Sequence, residues 1–228
     1  MDISLSFPSS GVKTGKMIKV ETLIYNPFQV NTYLVWDDTL ECVVVDPAFY
    51  SAEESDSFNR IVSGEGLVLT GQVYTHCHVD HVLGAGYITD RYDLPLRAHE
   101  NETGSLNSAP RMGEVFGLKL DPIEGIGAFI RENELVPVGN HFLKALFVPG
   151  HSPGSLAFYS EEGGFVLTGD ALFRGSIGRT DLPGGNYDQL IESIHSRLLH
   201  LPPGTIVYPG HGPSSTIAIE KSGNPFLG

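Results

Sequence analysis

Residues 18–25 alternate apolar with polar positions and carry β-branched side chains, a pattern that predicts a strand. Residues 31–36 and 41–46 predict a hairpin with Asp37-Asp38 near its turn. Within it, Val43-Val44-Val45 is a continuous apolar run, as expected of a strand covered on both faces. Residues 51–63 predict a helix: Ser51 and Glu54 stand at capping-box spacing, Phe58, Ile61 and Val62 supply an apolar stripe, and Gly64 is the stop. A buried strand over 67–74 runs into a His-rich segment, followed by a helix over 84–92 and a short strand over 94–98. Residues 101–131 read as a Gly- and Pro-rich excursion beside the core, either a lid or binding loop or a plain surface insertion. Strands follow over 135–138, 142–148, 155–159 and 164–168. Residues 187–200 predict an amphipathic helix with Leu190, Ile191, Ile194 and Leu198 on one face. A strand over 205–208 and a short helix or turn over 216–221 complete the pattern. Strands dominate, helices lie between them, and no Pro/Ser-rich linker divides the chain. The expectation is one α/β domain over 17–228. Residues 1–16 are Ser-, Gly- and Lys-rich without periodicity and are expected to be a disordered extension, with Met17 as the natural start.

Composition narrows the function. The 228 residues are 41% hydrophobic and 18% charged, enough to bury a sizeable core. The formal net charge of −13, without any Lys/Arg block, repels phosphate backbones and disfavours nucleic acid as a partner. Two cysteines, Cys42 and Cys77, cannot make a multi-bridge secreted scaffold. No apolar run approaches the roughly 20 residues of a membrane span, and the N-terminus lacks a signal-peptide core. A cytoplasmic location is expected.

The chemistry sits at strand ends. In Thr75-His76-Cys77-His78-Val79-Asp80-His81, extended backbone would point His76 and His78 to the same side. Asp80 and His81 follow where the chain turns towards a helix. Four imidazole and carboxylate ligands on one short loop suit zinc, iron or manganese. Cys77 would face the other way and reads as core packing. Three further candidates share one local architecture, an apolar strand and then a glycine: Gly150-His151, Gly169-Asp170 and Gly210-His211. Glycine permits the tight turn and close approach that a site needs. His99, His141, His195 and His200 lack that context and read as structural or surface residues.

Taken in order, these residues resemble the motifs of the metallo-β-lactamase superfamily: HxHxDH, a lone His, a bridging Asp and a last His. The resemblance runs from Ile18 onward. It implies a four-layer αββα sandwich with metals at one edge between two sheets. It also implies that His76, His78 and His151 hold one divalent ion. Asp80, His81 and His211 would hold a second, Asp170 would bridge both, and Asp46 would support the site without binding metal. A metal lowers the pKa of bound water from about 15.7 towards about 7, which makes a nucleophile available without a Ser or Cys. The ions also polarise a substrate carbonyl and stabilise the charge that develops on it. Asp80 is placed to accept a proton.

The segment 170–185, with Gly178-Arg179-Thr180-Asp181 inside it, resembles the glyoxalase II-like branch, especially its short YcbL-like bacterial members. The ending Pro209-Gly210-His211-Gly212-Pro213, followed by Asn224-Pro225-Phe226, is similar to them too. This implies hydrolysis of a thioester of glutathione or another thiol. The chain departs from that branch in stopping soon after His211, without the helical extension that supplies glutathione contacts. It also carries Arg179 and Asp181 where the branch has Lys and Tyr. Arg179 would bind a substrate carboxylate or pair with Asp181, and Arg174 is a second candidate of that kind. The same Gly-Arg-Thr-Asp stretch resembles the persulfide dioxygenases, which would use one iron on His76, His151 and Asp170. β-Lactam hydrolysis is poorly supported, because lactamases of this fold usually lack the Asp at position 80.

Overall fold

The computed structural model describes residues 18–228. The expected extension, 1–16, and the proposed start at Met17 lie outside the described residues.

Six strands form the first sheet in sequence order: β1 Lys19–Tyr25, β2 Val30–Trp36, β3 Glu41–Val45, β4 Val68–Val73, β5 Leu96–Ala98 and β6 Ala128–Phe129. The first three pair antiparallel, and β3 to β6 pair parallel. Parallel neighbours need crossovers. Helix α1, Ala52–Gly64, lies between β3 and β4, and α2, Ala85–Tyr92, between β4 and β5. The capping box of α1 forms as expected from Ser51 and Glu54.

The second sheet contains β7 Leu135–Val138, β8 His141–Phe147, β9 Leu156–Ser160, β10 Phe165–Gly169, β13 Ile206–Pro209 and β14 Ser215–Thr216. Its order is β14-β13-β10-β9-β8-β7, and only the β10/β13 pairing is parallel. A separate ribbon, β11 Leu172–Phe173 with β12 Ser176–Ile177, follows β10. Helices α4, Tyr187–Ser193, and α5, Ile217–Gly223, complete this half.

Side-chain alternation explains the layering, because successive residues of a strand face opposite sides. Tyr33, Val35, Val43 and Val45 pack on Leu143, Ala145, Leu156, Phe158, Phe165 and Leu167 of the other sheet. Their neighbours Leu34, Trp36, Cys42 and Val44 pack outward on Phe58 and Val62 of α1 and Ile88 of α2. Ala157, Val166 and Val207 pack outward on Leu190 of α4 and Ile217 of α5. Helices, sheet, sheet and helices make four layers, the αββα arrangement expected from the sequence.

Two segments differ from the sequence pattern. The excursion over 101–131 is not a plain loop: it contains a helix, α3 Thr103–Val115, and strand β6. Gly104, Gly113 and Pro110 are weak helix formers, and proline removes a backbone donor, so propensity hid this element. It is held by tertiary packing of Leu106 and Ala109 on Tyr74, Cys77, Val79 and Leu96. The helix expected over 187–200 keeps α geometry only to Ser193, then widens to a π-type turn over Ile194–Leu198. Leu190, Ile194 and Leu198, four residues apart, are all fully buried along this segment.

Candidate metal centre

The ligand candidates come from strand ends on one edge of the sandwich. Those between His76 and His81 follow β4, His151 follows β8, Asp170 follows β10 and His211 follows β13. All seven expected residues converge. His78 Nδ1 lies 2.9 Å from His151 Nε2, which lies 3.2 Å from His76 Nε2. His211 Nε2 is 3.4 Å from Asp80 Oδ2, and His81 Nε2 is 3.8 Å from the same oxygen. These are two trios of donor atoms, each within 4.8 Å of one another. Asp170 stands between them: Oδ1 is 3.4 Å from His81, and Oδ2 is 3.5 Å from His211 and 3.7 Å from His151. Ligand atoms about 2.0–2.2 Å from one ion stand roughly this far apart.

Most of the imidazoles are aimed by their other nitrogen. His81 Nδ1 meets Asp46 Oδ2 at 3.0 Å, His211 Nδ1 meets the Phe28 carbonyl at 3.0 Å, and His151 Nδ1 meets the Arg179 carbonyl at 2.8 Å. Each of those acceptors requires a proton on Nδ1, which leaves Nε2 with its lone pair towards the cluster. His76 Nδ1 lies 3.2 Å from Thr75 Oγ1, whose own proton goes to Asp46 Oδ2 at 2.5 Å. Asp46 also accepts from the Thr75 amide at 2.7 Å, and holds a left-handed φ of 49°. It lies behind the donors and orients His81.

Two glycines are required by close approach. A Cβ on Gly210 would strike the Asp170 carboxylate, and one on Gly169, at φ +50°, would strike Thr75. The His211 turn is clamped across the sheets. Asn31 donates Nδ2 to Pro209 and Gly212 carbonyls at 2.9 Å, its amide reaches Gly210 O at 2.7 Å, and Tyr33 OH reaches Pro209 O.

The electrostatics match a cation site. Burial, with neighbouring imidazoles, pushes His76 far below its ordinary pKa, and does the same to His78, down to about 4. Both are neutral ligands. Burial works against charge on His81 and His211 as well, but Asp170 and Asp80 outweigh it and raise both, His211 to about 9. Asp170 is held well below the carboxylate range: burial opposes this, and His81 and His211 overcome it. The carboxylates therefore favour positive charge on the side of the site that His81 and His211 line. His81 Nε2 and Asp170 Oδ1 are buried without a hydrogen-bond partner, which is costly unless a cation satisfies both. The donor set thus fits two divalent ions.

The residues read as bland from sequence lie away from the trios. Cys77 is buried in the α3 cluster, with its thiol pushed well up by burial. His141 pairs with buried Asp37, His99 caps a turn and stacks on Phe147, and His195 and His200 are exposed. Arg179 makes a bidentate pair with Asp181 at 2.7 Å and is 62% exposed, so its guanidinium is engaged there. Arg174 is exposed in the turn of the β11/β12 ribbon. An aromatic rim adjoins the centre: Phe28 stacks edge-on with Phe116 at 5.2 Å, and Phe173 faces His211 at 6.2 Å. Among the described residues, no helix is long and apolar enough to cross a membrane.

Comparison with known proteins gives the same picture. The Metallo-beta-lactamase superfamily matches residues 25–211. A probable metallo-hydrolase YqgX of Bacillus subtilis is 36% identical, covering 88% of this chain and 93% of its own length. The hydroxyacylglutathione hydrolase GloC of Haemophilus influenzae is 34% identical, covering 92% and 98%. Among solved structures, the BLEG-1 B3 metallo-beta-lactamase superposes with a TM-score of 0.84 at 31% identity, covering 92% of this chain and 99% of that one. TTHA1623 in a di-iron-bound form gives 0.83 at 36%, covering 91% and 100%. ETHE1 from Myxococcus xanthus gives 0.75 at 30%, covering 91% and 83%. With its profile, its relatives, its layering and its seven converging donors in agreement, this chain belongs to the metallo-beta-lactamase superfamily.

Proposed function

We propose that this protein is a metal-dependent thioester hydrolase of the hydroxyacylglutathione hydrolase, glyoxalase II-like, type. The observation that carries the hydrolytic part is the placement of Asp170 between two trios of donors, an arrangement for two ions acting together. Support for the thioester part comes from the likeness to GloC over nearly the whole of both chains. In this reading His76, His78 and His151 hold one divalent ion, Asp80, His81 and His211 the other, and Asp170 both. Zinc is the first choice, with iron and manganese as alternatives, and the resemblance to a di-iron-bound structure supports iron. Bound there, the ions supply Lewis acidity, making water acidic and an acyl carbonyl electrophilic. The chain supplies the rest. Asp46, Phe28 O and Arg179 O fix the imidazole tautomers, and the Asp80 carboxylate, on a side chain 18% exposed, would accept the proton released by the attacking water. Phe28, Phe116 and Phe173 give one side of the site an aromatic border. Arg174 and Arg179 are the cations proposed for a substrate carboxylate, and Arg179 would exchange Asp181 for it. We read 17–228 as one domain, acting in the cytoplasm, where the unpaired buried thiols Cys42 and Cys77 suit a reducing environment.

The test is hydrolysis of S-lactoylglutathione and simpler acyl thioesters by protein reconstituted with Zn, Fe or Mn. Oxygen uptake with glutathione persulfide is followed in parallel. Thioester turnover is expected. Stoichiometric oxygen uptake without it would replace this reading by the dioxygenase one, which the joint placement of His76, His151 and Asp170 favours. Asp170→Ala is expected to lose metal and activity together, and unchanged metal stoichiometry would contradict its bridging role.

A further inference from the structure

Glu102 is a fully buried carboxylate outside the ligand set. Its side chain joins two loops that are distant in sequence. Oε2 accepts the Cys77 amide at 2.8 Å, and Oε1 accepts Ser152 Oγ at 2.6 Å and the Gly154 amide at 2.7 Å. Cys77 lies between His76 and His78, and Ser152 follows His151. The three histidines of the first trio therefore lie on loops tied together by one carboxylate. Among the described residues three neutral donors, and no ion pair, satisfy its carboxylate. The approach is close: a Cβ on Gly154 would come within 2.8 Å of Glu102 Cγ and Oε1. The second trio has its own buried carboxylate, Asp46, which touches His81 directly.

We propose that Glu102 is a positioning residue that sets the spacing of His76 and His78 against His151, and with it the metal affinity of that trio. A peptide amide bonded to a fixed carboxylate cannot rotate, so the two flanking imidazoles keep their separation. The His151 loop is fixed from the same atoms. A buried carboxylate receiving three hydrogen bonds is worth more than neutral pairs would be, because charge-assisted bonds are roughly twice as strong. Glutamine has the same shape, but its NH₂ group must face either the Cys77 amide or the Ser152/Gly154 pair, donor against donor. At least one backbone donor then loses its partner. The loops remain, but their separation is no longer fixed. Losing an outer hydrogen-bonded support of a metal site typically weakens binding about 10–100-fold.

This inference rests on the two-ion reading above, and the experiment separates the two. Metal-free protein is titrated with Zn²⁺ against a chromophoric chelator, and the thermal midpoint of the metal-free form is recorded alongside. Wild type is expected to bind two equivalents; fewer would sink the two-ion reading itself. Glu102→Gln is expected to weaken one equivalent at least tenfold and leave the other within about twofold. His78→Ala should lack that same equivalent. Adding Glu102→Gln to it should leave the remaining equivalent unchanged, as a double-mutant cycle requires if both act on one trio. Two unaltered equivalents in Glu102→Gln would overturn the proposal. So would an equal weakening of both with a lower midpoint of the metal-free form, which is the signature of general support to the fold. Should Glu102→Gln fail to fold, Ser152→Ala removes one of the three bonds more gently. A smaller shift of the same single equivalent supports the proposal, and no shift overturns it.

Discussion

Gly210 shows how little room the centre leaves. A methyl group there would land on the Asp170 carboxylate and come within 2.8 Å of His81 Cε1. Overpacking of this kind typically costs about 1–3 kcal/mol when neighbours can move. Here the neighbours are two of the proposed ligands. Gly210→Ala is therefore expected to lose at least tenfold in kcat and to release metal more readily. Gly204→Ala is the control, because a Cβ at Gly204 meets nothing within 4 Å. Equal behaviour of the two variants would mean that the His211 turn yields without disturbing Asp170. The glycine-then-ligand pattern was legible in the sequence because both partners are adjacent in the chain. The groups that aim the ligands were not. Glu102 acts on Cys77 and Gly154 across 25 and 52 residues, and Asn31 acts on Pro209 across 178. The acceptor for His151 is the Arg179 carbonyl, an atom every residue has, so no side-chain motif could reveal it. One available signal was Asn31, a buried amide that opens a strand buried along its whole length.

Between elements, the turn after β2 is fastened to the turn before β8 by one carboxylate. Asp37 is fully buried and accepts from the Thr39 amide at 2.9 Å, Thr39 Oγ1 at 2.6 Å, the Asn140 amide at 2.7 Å and His141 Nδ1 at 2.9 Å. Burial alone would raise its pKa, but the bonds from Thr39, Asn140 and His141 win and hold it far below the usual range. A carboxyl depressed in the folded state adds stability that is fully present above its unfolded pKa, about 3.9, and is lost as the pH falls below that. Asp37→Asn is expected to cost about 2–4 kcal/mol at pH 7, because it leaves donors unpaired. It should also shrink the stability lost between pH 5 and pH 2, measured as urea midpoints. An acid limb as steep as that of wild type would show that Asp37 is not a source of acid sensitivity. At this scale the strands and α1 were legible, since their apolar periods and the Ser51/Glu54 box are local. Helix α3 was not, because tertiary packing overrides the weak propensity around Pro110. The ending around Asn224 was legible only as a likeness. In the structure Asn224 and Gly175 both bond Glu220 Oε2, which latches α5 to the ribbon that follows Asp170.

Over the whole molecule the ligands divide by sheet. His76, His78, Asp80 and His81 follow a strand of the first sheet, and His151, Asp170 and His211 follow strands of the second. Hydrogen bonds already fasten the sheets to each other around this edge: Leu156 donates to the Thr75 carbonyl at 2.7 Å, and Asn31 and Tyr33 donate to the carbonyls of the His211 turn. Away from it, beside the Asp37 clamp, the two are held mainly by apolar contact, which is strong but non-directional. Ions bound by both trios and Asp170 would add a further directional link between the sheets, directly at the site. An ion held at a free concentration 1,000 times its Kd adds about 4 kcal/mol. For a chain of this size each kcal/mol moves Tm by about 2–4 °C. Chelation is accordingly expected to lower the Tm by about 10 °C or more, with re-addition of Zn²⁺ restoring it. Amide exchange should rise at the ends of β4, β8, β10 and β13, which lead into the ligands, while β9, inside the second sheet and leading into none, stays protected, because the apolar core between the sheets is untouched by the loss. Asp170→Ala, starting without a bridge, should respond to chelator much less than wild type. A Tm indifferent to chelator in fully loaded wild-type protein would mean that the ions serve chemistry alone and that the apolar interface and the hydrogen bonds of Asn31, Tyr33 and Asp37 set the register of the sandwich.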